Sequence, residues 1–182
     1  MERSVTHVAL FAALIAVLGL VPRIDLLAGV PITAQSLGIM LCGTVLGARR
    51  GALAVLLFLL LVALGLPLLA GGRGGLGVFV GPSAGFLLGF PVAAFATGWI
   101  VERLRGGVAL AAFAGAVLGG IGVLYAFGIP GMALVLGKTL PEAGLLVTPF
   151  LAGDLIKAGL AAAITAGLAR VRPGVLLSRP GG

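Results

Sequence analysis

The 182-residue chain is poor in the groups from which enzymes build active sites: it has one cysteine, one histidine, one tyrosine, one tryptophan and five acidic residues. A lone Cys42 excludes an internal disulfide and a cysteine metal cluster, and in an apolar run its default place is a buried one. Glu2, Asp25, Glu102, Glu142 and Asp154 are scattered, so no carboxylate group of metal-ligand spacing is present in the sequence. Charge itself is scarce, at 9% against about 25% in a soluble domain.

What remains is apolar. Hydrophobic residues make up 60% of the chain and the mean hydropathy is +1.28. Runs of this length and number belong to an integral membrane protein, because a spanning helix needs about 20 residues. The first run, VALFAALIAVLGLV, lacks a small-residue cleavage site leading into a polar mature chain, so it reads as a first span rather than a signal peptide. The net charge of +7 and the pI near 11.4 do not point to nucleic acid, because the cations flank the apolar runs. Arg3, Arg49, Arg50, Arg103, Arg105, Arg170, Arg172 and Arg179 fall just beyond helix ends, which marks those ends as cytoplasmic.

With the Gly/Pro breaks, these arginines divide the chain into six spans near 5–21, 34–48, 51–66, 84–101, 107–127 and 148–169. The fold class is therefore all-α: a polytopic membrane protein of six transmembrane helices, one domain over 1–182, with both termini cytoplasmic. Arg23, Arg73 and Lys138 fall outside, and Lys157 is buried. Trp99 and Tyr125 read as interfacial aromatics. Inner connections are minimal. Three outer ones, PRIDLLAGVPIT, PLLAGGRGGLGVFVGPS and GIPGMALVLGKTLPEAGLLVT, are long enough to be binding loops or lids.

Three motif matches fail on context. Gly72, Gly74 and Gly77 fit G-x-G-x-x-G without a βαβ unit. Gly131 and Gly137–Lys138–Thr139 are one residue too far apart for a P-loop and follow no strand, so the chain hydrolyses no ATP itself. Gly81, Ser83 and Gly85 fit G-x-S-x-G, but the one histidine, His7, falls at the opposite end of a span. The reading is of a non-enzyme, with no cofactor and no metal.

The functional signal lies in TPFLAGDLIKAGLAAAITAGLA, where Asp154 and Lys157 interrupt a spanning run. An ionised side chain at a helix centre costs roughly 2.5–3.5 kcal/mol on insertion scales, so such residues face the bundle interior and pair. Three residues apart, they share a helix face. The pair is either a structural tie between helices or a polar site, one to three turns from the outer end, for a ligand with donors and acceptors of its own. Small residues at four-residue spacing, Gly43/Gly47, Gly85/Gly89 and Gly115/Gly119, suit close helix approach; Ala9/Ala13 and Ala12/Ala16 give helix one a smooth face.

Three blocks, TAQSLGIMLCGTVLGARRGALAVLLFLLL, LAGGRGGLGVFVGPSAGFLLGFPVAAF and PFLAGDLIKAGLAA, resemble in order the BioY proteins, the biotin-specific S components of energy-coupling factor (ECF) transporters. Ser83, Ala84 and Phe86 stand where threonine, glycine and tyrosine are usual in that family. The resemblance implies a biotin-binding subunit of a prokaryotic plasma membrane transporter. In it Asp154 and Lys157 contact biotin, and helix one, through Ala9, Ala12, Ala13 and Ala16, docks on a transmembrane coupling subunit driven by two ATPase subunits.

Biotin's ureido group, fused apolar ring and carboxylate suit a carboxylate acceptor, an ammonium donor and an apolar wall. Arg73 is either an exposed loop arginine or a partner for the ligand carboxylate. Gln35 either offers its amide to the ureido group or caps structure. Ser83 and Gly85 belong to the central block, and Phe79 and Phe86 either wall the ring or pack in the bundle. The alternatives are an S component for another vitamin, a self-sufficient secondary transporter, for which no internal repeat is visible, and a structural membrane protein.

Overall fold

The computed structural model describes residues 2–23 and 32–179, so most of the PRIDLLAGVPIT connection, Asp25 included, lies outside the described residues. Among the described residues six helices run in order: α1 Glu2–Leu18, α2 Gln35–Leu46, α3 Ala48–Ala63, α4 Ala84–Arg103, α5 Val108–Leu136 and α6 Leu140–Val171. Short 3₁₀ turns occupy Leu76–Phe79 and Pro173–Val175. Three of the six, α4, α5 and α6, are long and apolar enough to cross a membrane, and the outer surface of the bundle carries leucines such as Leu10, Leu53, Leu60, Leu118 and Leu134 in exposed positions.

The last two helices correct the sequence expectation. Pro130 falls in the expected outer loop and Pro149 at the start of the last expected span, yet both lie inside longer helices, so the supposed outer loop between 128 and 148 is a turn at 137–139. In an apolar bundle, neighbouring helices and local adjustment re-satisfy the backbone groups that a proline frees. The true boundary has its own signals. Gly137 ends α5 in the left-handed conformation (φ 63°), and Lys138 N–H donates to Ala133 O at 2.9 Å. Thr139 and Glu142 then form a reciprocal capping box with Pro141 in the first turn of α6.

At the other extreme, α2 has only 12 residues, about 18 Å at 1.5 Å per residue, and passes into α3 through Gly47 alone (φ 83°). Glu102 at the end of α4 accepts the Ala48 N–H at 2.8 Å and holds this turn.

The core forms around α4, which packs against α2, α3 and α5. Glycines set those distances. A Cβ on Gly43 would lie 2.6 Å from Ala94 O, one on Gly85 2.5 Å from Phe127 O, and one on Gly119 2.4 Å from Thr97 N. The expected close approach of helices at these glycines is therefore present. Around Thr97, α5 widens into π-helix over Ala116–Val123, a local bulge that accommodates the α4 backbone.

The C-terminal segment closes the end of the bundle where α2, α4 and α6 finish. Leu177 and Ser178 N–H donate to Val45 O, Ser178 Oγ donates to Thr44 O, and the Arg179 guanidinium donates to Val101 O, Leu104 O and Gly106 O. Of the arginines read as flanking residues, Arg49, Arg50, Arg103 and Arg179 gather at this end. Arg73 lies at the opposite end, where the loop between α3 and α4 folds back on α2.

Candidate ligand-binding site

Asp154 is on α6, 14 residues from its start at Leu140 (154 − 140), or about four turns in rather than one to three, because the helix begins eight residues earlier than its apolar run suggests (148 − 140). It is 6% exposed. Its Oδ1 accepts from Lys157 Nζ at 2.9 Å and from Ser36 Oγ at 3.1 Å, and its Oδ2 accepts from Tyr125 OH at 2.8 Å. Lys157 Nζ also donates to Ser36 Oγ at 2.9 Å. The pair predicted from spacing is thus a four-residue polar cluster joining α2, α5 and α6. A carboxylate has about four lone-pair sites; three are taken, so one acceptor position remains, while Lys157 has a third N–H to offer.

The cluster forms one wall of a cavity of about 590 Å³ of non-atom space, part of it open to solvent. Leu69, Phe86, Leu87, Phe90, Leu124 and Phe150 make the rest of the lining apolar, with Thr33, Gln35, Ser83 and Arg73 at its polar margin. Six of the eight substrate positions read from sequence, Asp154, Lys157, Arg73, Gln35, Ser83 and Phe86, therefore meet at one cavity.

Their roles differ. Phe86 fits against α5 at Gly128, where a Cβ would sit 2.2 Å from its ring, and it presents an edge to Tyr125 with ring centroids 6.2 Å apart at 85°. That contact orients Tyr125 toward Asp154. Ser83 is 7% exposed, precedes the first turn of α4, and its hydroxyl makes no hydrogen bond among the described residues. Arg73 lines the cavity from the α3–α4 loop and donates from Nε to Ala70 O of the same loop at 3.3 Å.

Gln35 has its amide committed to backbone. Nε2 donates to Ile15 O at 3.2 Å and Leu68 O at 3.0 Å, and Oε1 accepts from Ala70 N–H at 3.1 Å. It ties α1 and the loop to the start of α2, so both amide hydrogens are used.

Gly85 and Phe79 are outside the cavity. Gly85 lies against Gly131 and Phe127 of α5, where its missing Cβ permits helix contact, and Phe79 packs on the main core from the 3₁₀ turn. Helix one also departs from expectation. At 100° per residue the four alanines, at i, i+3, i+4 and i+7, lie within about 100° of arc on one face, and the edge of the packing contact runs through that face. Ala12 is 3% exposed and belongs to the core, whereas Ala9 and Ala13 are exposed and Ala16 is half-buried.

Sequence reading missed Ser36 and Tyr125. Tyr125 looked interfacial only because α5 was ended near 127; in a helix continuing to Leu136, the one tyrosine of the chain stands mid-run and its hydroxyl needs a partner. Ser36 carried no signal beyond its place beside Gln35. Trp99 does stand at a helix end as expected, with the Arg103 guanidinium 4.3 Å from its ring centroid.

Comparison with known proteins gives the same result at three levels. The chain is 58% identical to "Biotin transporter BioY" of Rhodobacter capsulatus, covering 98% of this chain and 100% of that one. It is 53% identical to "Biotin transporter BioY" of Rhizobium etli, covering 88% and 89% of the two chains. Its fold matches the crystal structure of the S-component for biotin from an ECF-type ABC transporter with a TM-score of 0.88 and 30% identity, over 93% of this chain and 92% of that one. Residues 2–174 match the BioY family. The chain is an integral membrane protein and belongs to the BioY family.

Proposed function

We propose that this chain is the biotin-binding S component of an ECF-type uptake transporter. The observation that carries the reading is the buried Asp154–Lys157–Ser36–Tyr125 cluster set into an apolar cavity, in a fold that superposes on the S-component for biotin. Biotin needs an acceptor for its ureido N–H groups, a donor for its carbonyl, an apolar slot for its fused ring and chain, and a cation for its carboxylate. The open lone pair of Asp154 and the third N–H of Lys157 answer the first two. Phe86, Phe90 and Phe150 answer the third. Arg73 answers the last, and Ser83 Oγ adds a hydroxyl that can donate or accept.

The chain works as one unit embedded in a prokaryotic plasma membrane. All six helices cross, the arginine-rich end with both termini lies in the cytoplasm, and the cavity opens outward. It performs no chemistry and holds no resident cofactor. ATP is bound by two partner ATPases acting through a transmembrane coupling subunit, which docks on α1 through Ala9 and Ala13, with Ala16 at the margin and Ala12 supporting from inside.

Calorimetric titration of the detergent-purified chain with biotin and a panel of other vitamins tests this. Saturable binding of biotin, lost in Asp154→Ala and Lys157→Ala, is expected, since removing one partner of a buried charge pair costs about 2–5 kcal/mol. Tighter binding of another vitamin, or no biotin binding by folded protein, would overturn it.

A further inference from the structure

A second cavity lies at the opposite end of the bundle from the first, between the α2–α3 turn and the last turns of α4. It encloses about 910 Å³ of non-atom space, counting the part open to solvent, and is lined by Leu46, Ala48, Phe95 and Trp99 together with Arg49, Arg50, Arg103 and Glu102. Its polar inventory is unbalanced. Three guanidiniums face one carboxylate, and that carboxylate is committed to the Ala48 N–H. No ion pair to Arg49, Arg50 or Arg103 occurs among the described residues. Arg103 instead sits over the Trp99 ring, its Cζ 4.3 Å from the centroid.

The walls specify the kind of anion. Phe95 is 42% and Trp99 45% exposed, and both lie on the outer surface of α4, which passes without a polar break into the apolar side of the bundle. A ligand seated here has its negative group among three arginines and its apolar part along Phe95 and Leu46. A free phosphate would use the first feature and leave the second unfilled. We propose that this cavity is a binding site for the headgroup of an anionic phospholipid, whose acyl chains run down the α4 surface. Arg49 and Arg103 hold the phosphate by forked hydrogen bonds, Arg50 adds charge from the rim, and Trp99 seats the glycerol region.

Trp99 is the one tryptophan in the chain, so the site carries its own reporter. The full chain is reconstituted into phosphatidylcholine vesicles containing a small fraction of brominated phosphatidylglycerol or the same fraction of brominated phosphatidylcholine, and quenching of Trp99 is compared. The anionic quencher is expected to act more strongly, and its advantage to fall about fivefold for each of Arg49→Gln and Arg103→Gln. Arg105→Gln/Arg170→Gln removes two charges from the same end but outside the cavity, and is expected to keep the preference. The ratio of the two quenchers is taken within each variant, so a changed Trp99 baseline cancels. Equal quenching by the two lipids would leave the arginines to a protein partner and overturn the proposal. So would an equal loss of preference in Arg105→Gln/Arg170→Gln, which would mean diffuse surface charge, or abolition of the preference by millimolar inorganic phosphate, which would mean a soluble-anion site.

Discussion

Removing Asp154 and removing Lys157 should not be equivalent, although the two residues form one ion pair. With Lys157→Ala, the carboxylate of Asp154 keeps the hydroxyls of Tyr125 (2.8 Å) and Ser36 (3.1 Å), so it stays hydrogen-bonded in place. The loss is one charge-assisted hydrogen bond, about 1.5–3 kcal/mol. With Asp154→Ala, the ammonium of Lys157, whose side chain is 14% exposed, keeps only Ser36 Oγ, and Tyr125 loses its acceptor as well. A buried charge stripped of its counter-ion costs about 3–5 kcal/mol. The two variants should therefore differ by about 2 kcal/mol, or roughly 4–8 °C in thermal midpoint for a chain of this size.

The assay is thermal unfolding in detergent without ligand, followed by Trp99 fluorescence, and a second set, Asp154→Asn, Lys157→Met and Asp154→Asn/Lys157→Met, makes a double-mutant cycle. That double variant should recover most of the stability lost in Asp154→Asn while binding no biotin, because it removes the stranded charge together with the ligand's partners. A Lys157→Ala chain as unstable as Asp154→Ala, or a double variant no better than Asp154→Asn, would refute the reasoning that the two hydroxyls carry the carboxylate.

Gln35→Leu should lower stability by about 2 kcal/mol or more before it changes ligand contacts, because it leaves Ala70 N–H and Leu68 O without their partner, while Ile15 O keeps the Gly19 N–H; unchanged melting with weakened biotin binding would instead make Gln35 a direct ligand contact. Thr97→Val should raise the thermal midpoint, since the Thr97 hydroxyl is buried without a hydrogen bond and an isosteric apolar replacement relieves a cost of about 1–3 kcal/mol; a lowered midpoint would reveal a partner for that hydroxyl. Ala13→Trp should keep biotin binding and abolish energised uptake with the coupling and ATPase subunits co-expressed, whereas Ala12→Trp should damage the fold itself. In a Cys42→Ala background, cysteines at Arg50, Arg105 and Arg172 should resist an impermeant thiol reagent in right-side-out vesicles, and those at Arg73 and Lys138 should react; the reverse pattern would invert the topology.

Composition and charge placement were enough to make this a helical membrane protein, because a chain with so few charges has no polar surface with which to cover a soluble core. The number of helices and the Asp154–Lys157 pair were legible for similar reasons. Apolar runs and flanking arginines are local, and a charge within an apolar run is conspicuous wherever the chain folds. The resemblance to BioY proteins was carried by contiguous blocks and needed no tertiary information.

What required the tertiary structure was everything that depends on which helix faces which. Pro130 and Pro149 have helix-breaking chemistry, and only the packed bundle around them allows α5 and α6 to continue through. That continuation moved Tyr125 from an interface to the site. The split of the alanines of α1 into an outer pair and a buried Ala12 follows from the rotation of that helix against its neighbours. Gly85 and Phe79 left the site, and Ser36 entered it, through contacts between residues far apart in sequence, such as the 118 positions separating Ser36 from Asp154. A side chain's chemistry is written in the sequence, but the partner that satisfies it is chosen by packing, and for a buried polar group the partner decides whether it holds the fold or meets the ligand.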